Sequence, residues 1–89
     1  MAARILIVDD EPNILGTLAP LVRARGYEVF SAMTGRAAIE AVERDKPDLI
    51  VLDLGLPDID GVEVCRLVRE TSNVPILVLS ARGAEGDKV

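Results

Sequence analysis

The sequence predicts an α/β fold, a doubly wound parallel sheet with four strands and three helices, on three observations. Short apolar runs alternate with segments whose apolar residues recur at helical spacing. The connections between them are only a few residues long. The apolar mass is aliphatic and β-branched, since Tyr27 and Phe30 are the only aromatics, which suits strands covered on both faces. Such alternation builds parallel strands through right-handed crossovers, with helices on either side of the sheet.

Taken in order, Ile5–Val8 is an apolar run that ends in Asp9 and Asp10. Asn13–Arg25 carries Ile14, Leu15, Leu18, Leu21 and Val22 on one helical stripe, and Gly26 closes it as a C′ glycine. Pro20 falls inside this helix, where its ring removes the bond to the Gly16 carbonyl, so a bend is expected there. Tyr27–Ser31 reads as the second strand and Ala37–Arg44 as the second helix, stopped by Pro47. Leu49–Leu52 is the third strand, Asp60–Glu70 the third helix, and Ile76–Leu79, opened by Pro75, the fourth strand. No repeat, linker or low-complexity tract interrupts the series.

The 89 residues allow one small domain, which buries only roughly 60–65% of its unfolded surface. A hydrophobic content of 49% and a mean hydropathy of +0.30 are high for so short a chain. Yet no apolar run approaches the about 20 residues needed to span a bilayer, and no cleavable leader pattern opens the sequence. A cytoplasmic location is the expectation, with no membrane partner. The net charge of −5 argues against this segment gripping nucleic acid, which needs clustered Lys and Arg. The single cysteine, Cys65, excludes an internal disulfide and a cysteine-based metal cluster, and its neighbours Val64 and Val68 favour a core role. With no histidine, the usual zinc sites and every triad with a His base are excluded.

In an open parallel sheet, ligands bind beyond the carboxyl ends of the strands, where strand order reverses. Asp9 and Asp10 end the first strand and Asp53 ends the third. If those strands are neighbours, three carboxylates share one mouth, and their mutual repulsion calls for a cation. An oxygen-only donor set favours Mg²⁺ or Mn²⁺. Each residue also has a plainer role: Asp10 before Pro12 suits a helix N-cap, and Asp53 suits a strand-end turn. Asp58 and Asp60 read as turn and capping residues, with Asp60 placed to cap the third helix. The run 58–61 brushes a calcium-loop pattern but lacks its upstream Asp and its downstream Glu. Ser80 ends the fourth strand, where its hydroxyl can donate to a phosphoryl oxygen or simply terminate the strand.

Ile5–Pro12, Gly26–Val29, Pro47–Asp58, Asp60–Gly61 and Val74–Arg82 together resemble the receiver domains of two-component response regulators, at that family's own spacings over nearly the whole chain. The stretch from Asp53 to Asp58, with Val78–Arg82 and Asp87–Lys88, is most similar to regulators with a winged-helix output domain, and among them to the Kdp-type potassium-uptake regulators. The resemblance implies a flavodoxin-like sheet and a stoichiometric phosphoacceptor rather than an enzyme. By the same resemblance Asp53 would receive a phosphoryl group from a sensor histidine kinase. Asp9, Asp10, Asp53 and the backbone carbonyl of Gly55 would hold Mg²⁺, with Asp10 bound directly and Asp9 through water. Ser80 would be the switch hydroxyl with Ala81 beside it, and Pro57 and Gly61 would shape the loop after Asp53.

The family domain is longer than 89 residues. By resemblance this stretch is the N-terminal part of one receiver domain, without its fifth strand, its last helices and the lysine that bridges to the phosphoryl group; Lys88 is not that lysine. The fourth strand would then be an open edge, and the chain by itself is expected to self-associate through it, to exchange strands with another copy, or to be marginally stable. A monomeric, cooperatively unfolding chain in sedimentation and melting experiments counts against this. Weakened acceptor chemistry and absent signal output are expected for the same reason, with the metal pocket intact; the alternative reading is an inactive fragment of such a domain.

Two rival readings fit less well. A nucleotide- or flavin-binding domain of the same architecture would carry a Gly- or Ser/Thr-rich phosphate loop after the first strand, where this sequence has Asp9, Asp10, Glu11 and Pro12. A phosphoaspartate-forming phosphatase of the haloacid dehalogenase type would place two aspartates two residues apart after the first strand, not adjacent.

Overall fold

The computed structural model describes residues 2–53 and 55–79. Within them the chain runs β1 (Arg4–Val8), α1 (Pro12–Ala24), β2 (Glu28–Ala32), α2 (Gly35–Asp45), β3 (Leu49–Asp53), α3 (Gly61–Arg69) and β4 (Ile76–Leu79). The strands form one parallel sheet in the order β2-β1-β3-β4. This is the flavodoxin-like order, and its direction reverses between β1 and β3. The doubly wound sheet with four strands and three helices is as the sequence predicts, and every element boundary lies within two residues of expectation.

The register brings the strand ends level. Val8 pairs with Leu52 and Ile7 with Val51, while Asp53 pairs with Leu79. The amide of Asp9 donates to the Ala32 carbonyl at 3.0 Å, so the end of β1 is tied to β2 as well. At the opposite edge Arg4 does similar work: its amide donates to the Asp48 carboxylate at 2.8 Å, and its guanidinium bonds Glu28 and the Asp45 carbonyl.

Strand alternation sorts the side chains. Leu6, Val8, Ile50 and Leu52 point to one face, where they pack with Ala38, Ala41 and Val42 of α2 and Val64 and Val68 of α3. Cys65 is half-buried against the same cluster, in line with a core role. Ile5, Ile7, Leu49 and Val51 point to the other face, toward α1. No residue of α1 is fully buried. A groove of about 700 Å³ remains between it and the sheet, lined by Ile5, Leu49 and Val51 and by Leu21 and Val22 of the helix.

Helix ends follow their local chemistry with one difference from expectation. The N-cap of α1 is Glu11, not Asp10, and no side chain caps it; the Asp9 carboxylate instead accepts the Glu11 amide at 2.9 Å. The helix runs through Pro20 to Ala24 as one element. Gly26, at φ +96°, closes it, its N–H donating a hydrogen bond to the Arg23 carbonyl at 2.9 Å, in a backbone conformation that glycine adopts without strain. Asp60 caps α3 as expected, accepting the Val62 amide at 3.2 Å.

Candidate metal and phosphoryl-acceptor site

Alternation places Asp9 in line with Ile5 and Ile7, and Asp53 in line with Leu49 and Val51, so both carboxylates belong to the α1 face of the sheet. One oxygen from each of Asp9, Asp10 and Asp53 lies within 4.8 Å of the other two, and all three residues are half-buried. Sequence reasoning therefore found the cluster, and adjacency of β1 and β3 assembles it. The site forms a cavity of about 520 Å³ whose wall is completed by Glu11, Ile14, Thr17, Leu18 and Leu79. Those α1 residues were not foreseen as site residues. Their signal was present, because Ile14 and Leu18 lie one turn apart on the helix that starts directly after the acidic pair. The Thr17 hydroxyl is engaged by the Asn13 carbonyl at 2.9 Å.

The donor set suits a small hard cation. An octahedral Mg²⁺ with oxygens at about 2.0–2.1 Å holds adjacent ligands about 3 Å apart, so carboxylates within 4.8 Å of one another would draw together by up to about 2 Å on binding it directly. All the donors are oxygens, as Mg²⁺ or Mn²⁺ prefers.

Residues 55–60 form a loop that leads into α3. Gly55 in it is half-buried, Pro57 is exposed, and Gly61, the first residue of α3, is buried. Leu56 and Ile59 pack against the main core. Asp58, a turn or capping residue by its sequence context, has a longer reach in the structure. Its Oδ1 accepts the Gly35 amide at 2.8 Å and its own neighbour Ile59 at 2.9 Å, and its Oδ2 accepts the Arg36 amide at 3.1 Å. Bonds from the Gly35 amide first and the Arg36 amide second hold its carboxyl below the usual carboxylate range. Ser80 and Ala81 lie outside the described residues.

The model of the response regulator receiver domain family matches residues 5–89. This chain belongs to the response regulator receiver family. The receiver is 45% identical over 85 residues to the transcriptional regulatory protein KdpE of Mycobacterium tuberculosis, covering 96% of this chain and 38% of that protein. It is 46% identical over 90 residues to the alkaline phosphatase synthesis transcriptional regulatory protein PhoP of Bacillus subtilis, covering 100% of this chain and 38% of the relative. The receiver thus spans less than half the length of either regulator. Among solved structures, the BeF3-activated N-terminal receiver domain of Klebsiella pneumoniae RstA superimposes with a TM-score of 0.83 at 33% identity, over 88% of this chain and 67% of that one. No helix among the described residues is long and apolar enough to cross a membrane.

Proposed function

We propose that this receiver accepts a phosphoryl group on Asp53 from a sensor histidine kinase, with Mg²⁺ bound, and so controls a winged-helix transcriptional output. The observation that carries the reading is the convergence of Asp9, Asp10 and Asp53 at the point where strand order reverses. The transcriptional regulators named above, similar to this chain over its whole receiver segment, support the output class.

The chemistry follows from the residues. A carboxylate oxygen of Asp53 attacks the phosphorus of a phosphohistidine in line; the P–N bond breaks, and the imidazole leaves with the bonding pair and takes up a proton. Asp9, Asp10, Asp53 and the Gly55 carbonyl would hold the cation, which when bound offsets charge on the transferring oxygens. Positioning and electrostatics supply most of the rate in such a transfer. The Ser80 hydroxyl would bond the new phosphoryl oxygens, biasing an equilibrium between two conformations. Besides the kinase, a second copy of the chain is a partner through β4, where Leu77, Val78 and Leu79 are exposed. The receiver itself makes no nucleic-acid contact in this reading, and it acts in the cytoplasm.

Exposure to a small phosphodonor with Mg²⁺, followed by intact-mass and peptide mass spectrometry, tests the reading. One phosphoryl group on Asp53, lost with chelator and in Asp53→Asn, is the expected result. Continuous turnover of a phosphate ester, or labelling elsewhere, rejects it.

A further inference from the structure

The first amides of an α-helix have no partner within the helix, and in α2 their partners come from two places. The Ala37 amide bonds the Thr34 hydroxyl at 3.0 Å, and the Ala38 amide bonds the Thr34 carbonyl at 3.0 Å. The Gly35 and Arg36 amides have no such local cap. They bond the two oxygens of Asp58, 23 and 22 residues further along the chain. A carboxylate at a helix N-terminus also gains from the helix dipole.

Packing draws the same two segments together. A Cβ on Gly35 would stand 2.8 Å from Cγ2 of Val64 and 2.9 Å from Cβ of Ile59. Only glycine lets the start of α2 approach the loop this closely. Asp58 sits in the middle of the loop between Asp53 and α3. Among the described residues, no other side chain of that loop hydrogen-bonds to a different element; Asp60 bonds only the α3 helix that it caps. The loop therefore has apolar anchors at Leu56 and Ile59 and one polar anchor, Asp58.

We propose that Asp58 is a positioning residue for the metal and acceptor site: by clamping the loop after Asp53 to the amides of Gly35 and Arg36, it sets the course of the Gly55 backbone, whose carbonyl the acceptor reading assigns to the cation. The inference rests on the metal-assisted acceptor reading above. Asp58 does not touch the cation or the phosphoryl group; it acts through the loop, as outer groups orient the ligands of metal sites elsewhere. Coupling of this kind is reciprocal, so the cation must in turn tighten the clamp.

The test is a Mg²⁺ titration of the full chain and of Asp58→Asn and Asp58→Ala, followed by NMR shifts of the Asp10 and Asp53 amides, with far-UV circular dichroism to verify folding. Asn keeps one acceptor oxygen of the same shape, so it folds even where Ala does not. The expected result is a Mg²⁺ affinity lowered about tenfold in Asp58→Ala and less in Asp58→Asn, as for the loss of outer-sphere groups in general. Hydrogen exchange supplies the second readout. Mg²⁺ should slow exchange of the Gly35 and Arg36 amides in the wild-type chain and leave the Glu28 amide, at the far end of the sheet, unchanged. A merely structural role for Asp58 would not produce that slowing. If folded Asp58 variants bind Mg²⁺ as the wild type does, or if Mg²⁺ leaves Gly35 and Arg36 exchange untouched, the positioning role is overturned while the acceptor reading stands. If the wild-type chain itself shows no Mg²⁺ response, both fall together.

Discussion

Ile5 and Leu6 are neighbours in β1 and both are buried, yet they belong to differently built halves of the molecule. Leu6 enters a closed core in which every layer is filled: strands β1 and β3, then α2 and α3, whose small residues Ala38 and Ala41 let the helix sit close to the sheet. Ile5 opens onto the groove beneath α1, a helix that fully buries nothing and shows Leu21 at 60% exposure. The closed half is sensitive to changes in side-chain volume, since close packing leaves few voids to absorb them. The open half carries the carboxylates. Asp9 and Asp53 follow the parity of Ile5 and Val51, so the charged site faces the loosely packed side while its backbone is held by the tight one. The lesson is a division of labour between the two faces of one strand.

The comparison breaks most directly at its largest expected effect. Leu52→Ala removes a fully buried side chain from the closed half and should cost about 2–5 kcal/mol in urea unfolding. Leu21→Ala, on the open half, should change stability by about 0.5 kcal/mol or less. Equal losses would show that the two halves are packed alike. A smaller effect is expected from Gly35→Ala, whose new methyl meets Ile59 and Val64 at under 3.0 Å. Overpacking of this kind costs about 1–3 kcal/mol, read as a fall in melting temperature, and a neutral result would mean that the α2–loop contact is soft.

The smallest effect is a pH dependence from two carboxylates on the α2 and α3 side. Asp58 is held below the usual carboxylate range by the Gly35 and Arg36 amides, and Glu63 of α3 by its pair with Arg66. A depressed folded value means stability that is full above the unfolded value of about 4 and lost as pH falls through the lower folded one. Denaturation curves across that acid range should therefore be flatter for Asp58→Asn than for the wild type. An unchanged slope would show that the clamp contributes nothing to folding. The Glu63–Arg66 pair is exposed and adds the lesser part.

Much of this was legible beforehand. The strand limits of β4 coincide with the apolar run after Pro75, because proline at its start and aliphatic residues within it are both local signals. The start of α2 was legible less well: it begins at Gly35 rather than Ala37, since Thr34 is a proper N-cap but is followed by a residue of poor helix propensity. Asp60 is a local cap and was legible; Asp58 is a distant one and was not.

The sequence by itself determined the alternation of elements, the two-faced strands and the identity of the three carboxylates, because periodicity and strand-end position are properties of a few neighbouring residues. Only the tertiary structure decided that β1 and β3 lie side by side, that Asp9 and Asp53 face α1, and that Asp58 reaches back to the start of α2. Those depend on pairings across tens of residues, whose geometry is set by how the sheet closes against its helices and is written in no local stretch of the chain.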